Sequence, residues 1–138
     1  MSAGALRAKP FRRYGRALVP TEEQEQAALV RWSALRSAQV PALALLYHVP
    51  NAGSKHINYA VRQKRQGLKS GVPDLCLPVA RHGQHGLYVE MKKREGGKVS
   101  KAQADWHTRL RAEGYRVVVC EGWEAAQQAI CEYLGIHP

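Results

Sequence analysis

The chain is short of the features that would make a protein secreted, membrane-spanning or zinc-bound. Its three cysteines, Cys76, Cys120 and Cys131, are odd in number and lack C-x-x-C spacing, which disfavours both a disulfide framework and a Cys-rich zinc site. Reduced thiols in a core are the simpler reading. The longest apolar runs, such as those at 43–47 and 117–120, fall far short of the roughly 20 residues needed to cross a bilayer. Pro10, Arg12, Arg13 and Arg16 interrupt what would be the apolar centre of a signal peptide. The reading is an unsecreted protein without membrane association. No internal repeat and no groove-reading finger or helix is recognisable, so base-sequence readout is not expected.

Acidic residues are the scarcest feature. Eleven Asp and Glu stand against 21 Lys and Arg, a net charge of +10 in 138 residues. That balance favours a polyanionic partner, with nucleic acid first. From Gln26 to Pro73 there is no carboxylate, while Arg31, Arg36, Lys55, Arg62, Lys64, Arg65 and Lys69 all fall within the stretch. Upstream of Glu90 the acids are Glu22, Glu23, Glu25 and Asp74. At 45% hydrophobic and 23% charged residues, the chain has the composition of a globular protein of one domain.

Residues 1–20 carry Arg7, Lys9, Arg12, Arg13 and Arg16 with no acid and read as a basic arm, either tracking phosphates or simply disordered. Residues 21–138 form the single folded domain. Thr21 is an N-cap followed by acids that suit a helix dipole. A helix then runs to about Ser37 with Ala28, Leu29, Trp32 and Leu35 as its apolar stripe. The pattern next predicts a buried strand over Leu43–Val49 closed by Pro50-Asn51-Ala52-Gly53, a helix over Ile57–Gln66 and a strand over Val72–Val79. A tight loop holds His82 and His85, which read as surface residues, not as an H-x-x-H metal pair. Leu87–Lys93 alternates cleanly, so Glu90 and Lys92 share one face. Ser100 and Gln103 form a capping box for a helix through Ala112. A strand over Tyr115–Cys120 and a helix over Trp123–Leu134 complete an α-β-α-β-β-α-β-α order. That order is α/β, a mixed central sheet flanked by helices. Trp32, Trp106 and Trp123 sit at spacings that suit core or subunit packing more than base stacking.

The chemistry lies in Pro73-Asp74 and, sixteen positions after Asp74, Glu90-Met91-Lys92. Adjacent antiparallel strands bring opposed Cβ atoms to within about 4.5–5.5 Å, so two carboxylates and an ammonium can meet. Two such carboxylates repel unless a cation lies between them, and Mg²⁺ is held by one or two carboxylates, waters and substrate phosphate oxygens. E-x-K alone is more often a solvated strand face, and Pro-Asp alone a turn.

Pro73-Asp74 with Glu90-x-Lys92 is similar to the PD-(D/E)xK signature of restriction-endonuclease-like nucleases. His48-Val49-Pro50-Asn51-Ala52-Gly53, the run from Gly67 to Asp74, Leu87 to Lys92 and Ser100-x-x-Gln103, in that order, resemble the VRR-NUC family, in particular its short stand-alone phage and bacterial members. The resemblance implies a restriction-endonuclease-like core and a Mg²⁺- or Mn²⁺-dependent DNA phosphodiesterase with no organic cofactor. It implies Asp74, Glu90 and the Met91 backbone carbonyl as metal ligands, and Lys92 as the group placing the attacking water. A first-helix glutamate also reaches the metal in such proteins. Glu25 leads directly into Ala28, Leu29 and Trp32, and periodicity favours it. Glu22 precedes Gln26 by four residues, as in the common pattern, and stands close behind. Gln103, His48, Asn51 and Lys69 are candidates for supporting the site or contacting phosphate, and Arg62, Lys64, Arg65, Lys93 and Lys98 for binding DNA. The resemblance further implies a homodimer acting on branched DNA, a four-way junction or a flap, in a bacterial cytoplasm or an infected host cell. A non-catalytic DNA-binding module and a nuclease subunit active only within a larger complex are the alternatives.

Overall fold

The computed structural model describes residues 19–51 and 57–138. Almost all of the basic arm and the Ala52-Gly53 half of the turn lie outside the described residues. Helix α1 (Glu22–Arg36) starts at Thr21, whose side chain accepts from the Gln24 backbone N–H while the Gln24 side chain accepts from the Thr21 N–H. This reciprocal cap satisfies two of the helix's orphan donors. A 3₁₀ helix at Pro41–Leu45 leads into β1 (Tyr47–His48). Helix α2 (Ile57–Arg65) and β2 (Leu75–Leu77) follow, then β3 (Leu87–Lys92), α3 (Lys101–Ala112), β4 (Arg116–Glu121) and α4 (Trp123–Leu134).

The sheet order is β1-β2-β3-β4. β1 pairs antiparallel with β2 and β2 with β3, whereas β3 and β4 run parallel across the α3 crossover. The sheet is mixed and helix-flanked, as the pattern predicts. Leu29, Leu43, Leu75, Leu77, Leu87, Val89, Met91, Ile130 and Tyr133 make its core. The three cysteines are free and buried, and burial pushes the Cys120 thiol up to about 11 and raises that of Cys131, so these two are inert packing groups.

Three expectations about elements need correction. The predicted Leu43–Val49 strand is a 3₁₀ turn followed by two exposed strand residues. Pro41 at its first turn favours that geometry, and the buried Ser33 hydroxyl ties it down by donating to the Leu43 carbonyl at 2.9 Å. The Val72–Val79 strand shrinks to three residues because Pro73 and Pro78 bracket it, and neither has an N–H for the ladder. On α1 the buried stripe is Glu25, Leu29 and Ser33, with Trp32 half-buried against the core, whereas Leu35 is 70% exposed. Trp123 packs on the core as expected.

Gly71 sets how the loop before Asp74 meets α3. Its φ is +90°, and a Cβ there would lie 2.7 Å from the backbone carbon and oxygen of Ala102. Gly71→Ala therefore carries both left-handed strain and a clash with main chain, together roughly 3 kcal/mol. A thermal melt should show Tm lowered by roughly 10 °C. An unchanged Tm would mean that the loop is not packed on α3 in this way.

Candidate active site

Asp74 leaves the buried Pro73 at the start of β2. Its carbonyl accepts from the Val49 N–H at 2.7 Å, and its Oδ2 accepts from the Met91 N–H at 2.7 Å. The side chain is thus fixed to the next strand by a charge-assisted bond. The β2–β3 register pairs Leu75 with Val89, and one step further sets Asp74 opposite Glu90. Sequence alternation places Glu90 and Lys92 on one face, and α3 covers that face so fully that they are only 1% and 6% exposed.

Helix α3 supplies the partners. Gln103 Nε2 donates to Glu90 Oε2 at 3.3 Å, while Gln103 Oε1 accepts from Lys92 Nζ at 3.0 Å and from the Ser100 N–H at 2.9 Å. The capping residue and the site residue are therefore the same side chain. His107 Nε2 lies 3.0 Å from Glu90 Oε1. Burial, Arg111 and Lys92 hold the His107 pKa below its ordinary value, so a neutral ring donates this bond.

Glu90 is pushed up to about 9, first by burial, then by the facing Asp74 carboxyl, with Glu22 adding to the rise and Lys92 opposing it. Two carboxylates confined together hold one proton in place of one negative charge. Among the described residues no group of three His, Cys, Asp or Glu side chains is arranged to hold a metal by itself. The donor set is two facing carboxylates, with the Met91 main chain between Glu90 and Lys92. That set fits Mg²⁺ or Mn²⁺, which bind through one or two carboxylates and complete their shells with water and phosphate oxygens. It does not fit a closed zinc site.

Glu22 and Glu25 have separate fates. Glu25 is 1% exposed and clamped by Arg94, whose Nε and Nη2 donate to its two oxygens at 2.8 and 3.1 Å, and Arg94 Nη2 also reaches Glu124. Glu22 lines an open cleft of about 840 Å³ together with Gln26, His48, Asn51, Asp74 and Met91. His48 Nδ1 sits 2.8 Å from Gln26 Nε2 and 3.1 Å from the Asp74 carbonyl, and it accepts from the first or donates to the second according to its tautomer. The structure thus brings Asp74, Glu90, Met91, Lys92, Gln103, Glu22, His48 and Asn51 together around one site, and assigns Glu25 to an internal ion pair.

Other candidates stand elsewhere. Lys69 lines a separate groove with Trp106, Arg109 and Glu113. Arg62, Lys64 and Arg65 are exposed on the last turn of α2, and Lys93 and Lys98 are exposed on the loop after β3. His82 contacts the Tyr133 carbonyl and His85 packs edge-on against Tyr115. Three residues at or beside the site carry no signal in the motifs: Arg31, Arg94 and His107. Only His107 had one available, since it lies one helical turn after Gln103 and shares its face.

A model of the VRR-NUC domain family matches residues 13–124. A solved structure described as a VRR_NUC domain protein is similar to this chain at 30% identity with a TM-score of 0.71, over 85% of this chain and 90% of that one. No curated protein matches the chain. The described helices include none long and apolar enough to cross a membrane.

Proposed function

The chain belongs to the VRR-NUC domain family, a nuclease-type domain whose substrate is DNA, and on that premise we propose that it is a Mg²⁺- or Mn²⁺-dependent endodeoxyribonuclease selective for branched DNA. The observation that carries this reading is the pair Asp74 and Glu90 opposed across β2 and β3, with Lys92 tied to Glu90 through Gln103. Asp74, Glu90 and the Met91 carbonyl would hold the cation, and Glu22 would be the first-helix acid that reaches it, because Glu25 is committed to Arg94. Bound there, the cation supplies positive charge beside the scissile phosphate and acidifies water enough for it to act as nucleophile.

The remaining work falls to the chain's own groups. Gln103 fixes the Lys92 ammonium by accepting from it, so the lysine orients the attacking water and offsets charge developing on phosphorus. His107 holds Glu90 by donating to it and stays neutral, which spares the site a competing cation. Nothing in the motifs reads base edges, so selection by DNA shape fits best, and a twofold homodimer would present two sites to two strands.

The test incubates purified protein with labelled four-way junction, flap and linear duplex in Mg²⁺, Mn²⁺ or chelator, beside Lys92→Ala. Metal-dependent incision of a branched substrate, lost in the variant, is the expected result. Gel-shift binding without incision of any substrate would overturn the proposal in favour of a binding module or a subunit requiring a partner.

A further inference from the structure

Helix α1 carries a second stripe that the core does not use. Glu25, Leu29 and Ser33 face inward, whereas Ala27, Val30, Arg31 and Ala34 occupy i, i+3, i+4 and i+7 on another face. All four line the same 840 Å³ cleft as Glu22, Asp74 and Met91. Ala27, Arg31 and Ala34 are exposed, and Val30 is 40% exposed. Small side chains leave this wall shallow and continuous with the site.

The charges along the wall are ordered. Glu22 and Glu23 stand in the first turn of α1 and Arg31 more than two turns later. Among the described residues Arg31 makes no hydrogen bond or ion pair. Arg36, by contrast, is used by the fold and donates to the His137 carbonyl at 3.0 Å. At 1.5 Å per residue, Arg31 lies about 13 Å along the helix from Glu22, no more than about four nucleotides at ~3.4 Å each. A free guanidinium at that distance suits a phosphate. The cleft volume falls in the ~300–1,000 Å³ range of ligand sites, enough for a short stretch of one strand.

Building on the nuclease reading above, we propose that the outer face of α1 is the path of one DNA strand leaving the scissile phosphate, with its sugars against Ala27, Val30 and Ala34 and a phosphate gripped by Arg31. The acidic end of the same wall is where the cation would sit, and the basic end holds the strand beyond.

The experiment measures fluorescence-anisotropy binding of a labelled flap and of a short single strand, in chelator and across a salt series, for wild type, Arg31→Ala, Arg31→Lys and Ala27→Trp. Arg31→Ala should weaken binding at low salt by roughly tenfold and reduce the slope of log K against log salt by about 0.7–0.9, one phosphate contact. Arg31→Lys should keep that slope. Ala27→Trp, which blocks the groove without changing charge, should weaken binding with the slope intact. Unchanged affinity and slope in Arg31→Ala would overturn the proposal. So would loss of a homodimer in Ala27→Trp by light scattering, which would make this face a subunit contact. Because binding is read without metal, a protein that cuts nothing but loses strand affinity in Arg31→Ala would refute the nuclease reading and leave the strand path standing.

Discussion

Asp74→Asn should fold, bind DNA in chelator at least as tightly as wild type, and cut it at least about 10³-fold more slowly. The fold survives because the asparagine Oδ1 can still accept from the Met91 N–H, the bond that Asp74 Oδ2 makes at 2.7 Å. Binding survives because one negative charge facing the phosphates disappears. Catalysis does not, since a neutral amide replaces one of two carboxylates that would hold a cation worth several kcal/mol of transition-state stabilisation. Without its neighbour's charge the Glu90 pKa also falls, because Asp74 contributes to raising it. Single-turnover incision in Mg²⁺, with a thermal melt and a gel shift alongside, separates these effects. Normal incision by Asp74→Asn would remove Asp74 from the site.

That prediction rests on residues legible in the sequence, and the reason is local. Pro73-Asp74 marks the approach to β2, though not its bounds, strict alternation fixes the face of Glu90 and Lys92, and a capping box fixes where Gln103 starts α3. Each is settled within a few residues of chain. The choice between Glu22 and Glu25 is different, because both lie on the Leu29 face of α1 and periodicity alone leans towards the one nearer the core. The deciding group is Arg94, 69 residues from Glu25 in sequence. Burial does not separate Glu25 from the site, since Glu90 is equally buried; what distinguishes Glu25 is that both of its oxygens accept from Arg94. The same limit explains Leu43–Val49. An apolar run reports burial without reporting backbone geometry, and Pro41 with the Ser33 hydroxyl turns it into a 3₁₀ element.

Glu90 gives the second large effect, which is read without any substrate. In the unfolded chain a glutamate ionises near its ordinary value of 4.5, whereas in the metal-free fold it holds its proton to about 9. The folded state therefore carries one more proton than the unfolded state between those values, and stability present below 4.5 is lost as pH rises towards 9. His107 has the opposite sense of shift, lowered from 6.5, so its contribution is present above 6.5 and lost as pH falls. Between pH 6.5 and 8 the Glu90 slope stands alone, at most about 1.4 kcal/mol per pH unit. Metal-free protein should then melt at a lower Tm at pH 8 than at pH 6.5, and saturating Mn²⁺ should flatten the difference, because the cation takes the place of the proton. Calorimetric titration of Mn²⁺ in two buffers of different ionisation enthalpy should show about one proton released per ion bound at pH 7, with affinity rising up to tenfold per pH unit below 9. Mn²⁺ binding with no proton release would place the cation away from Glu90 and leave the shared proton as a purely structural feature of the β2–β3 pair.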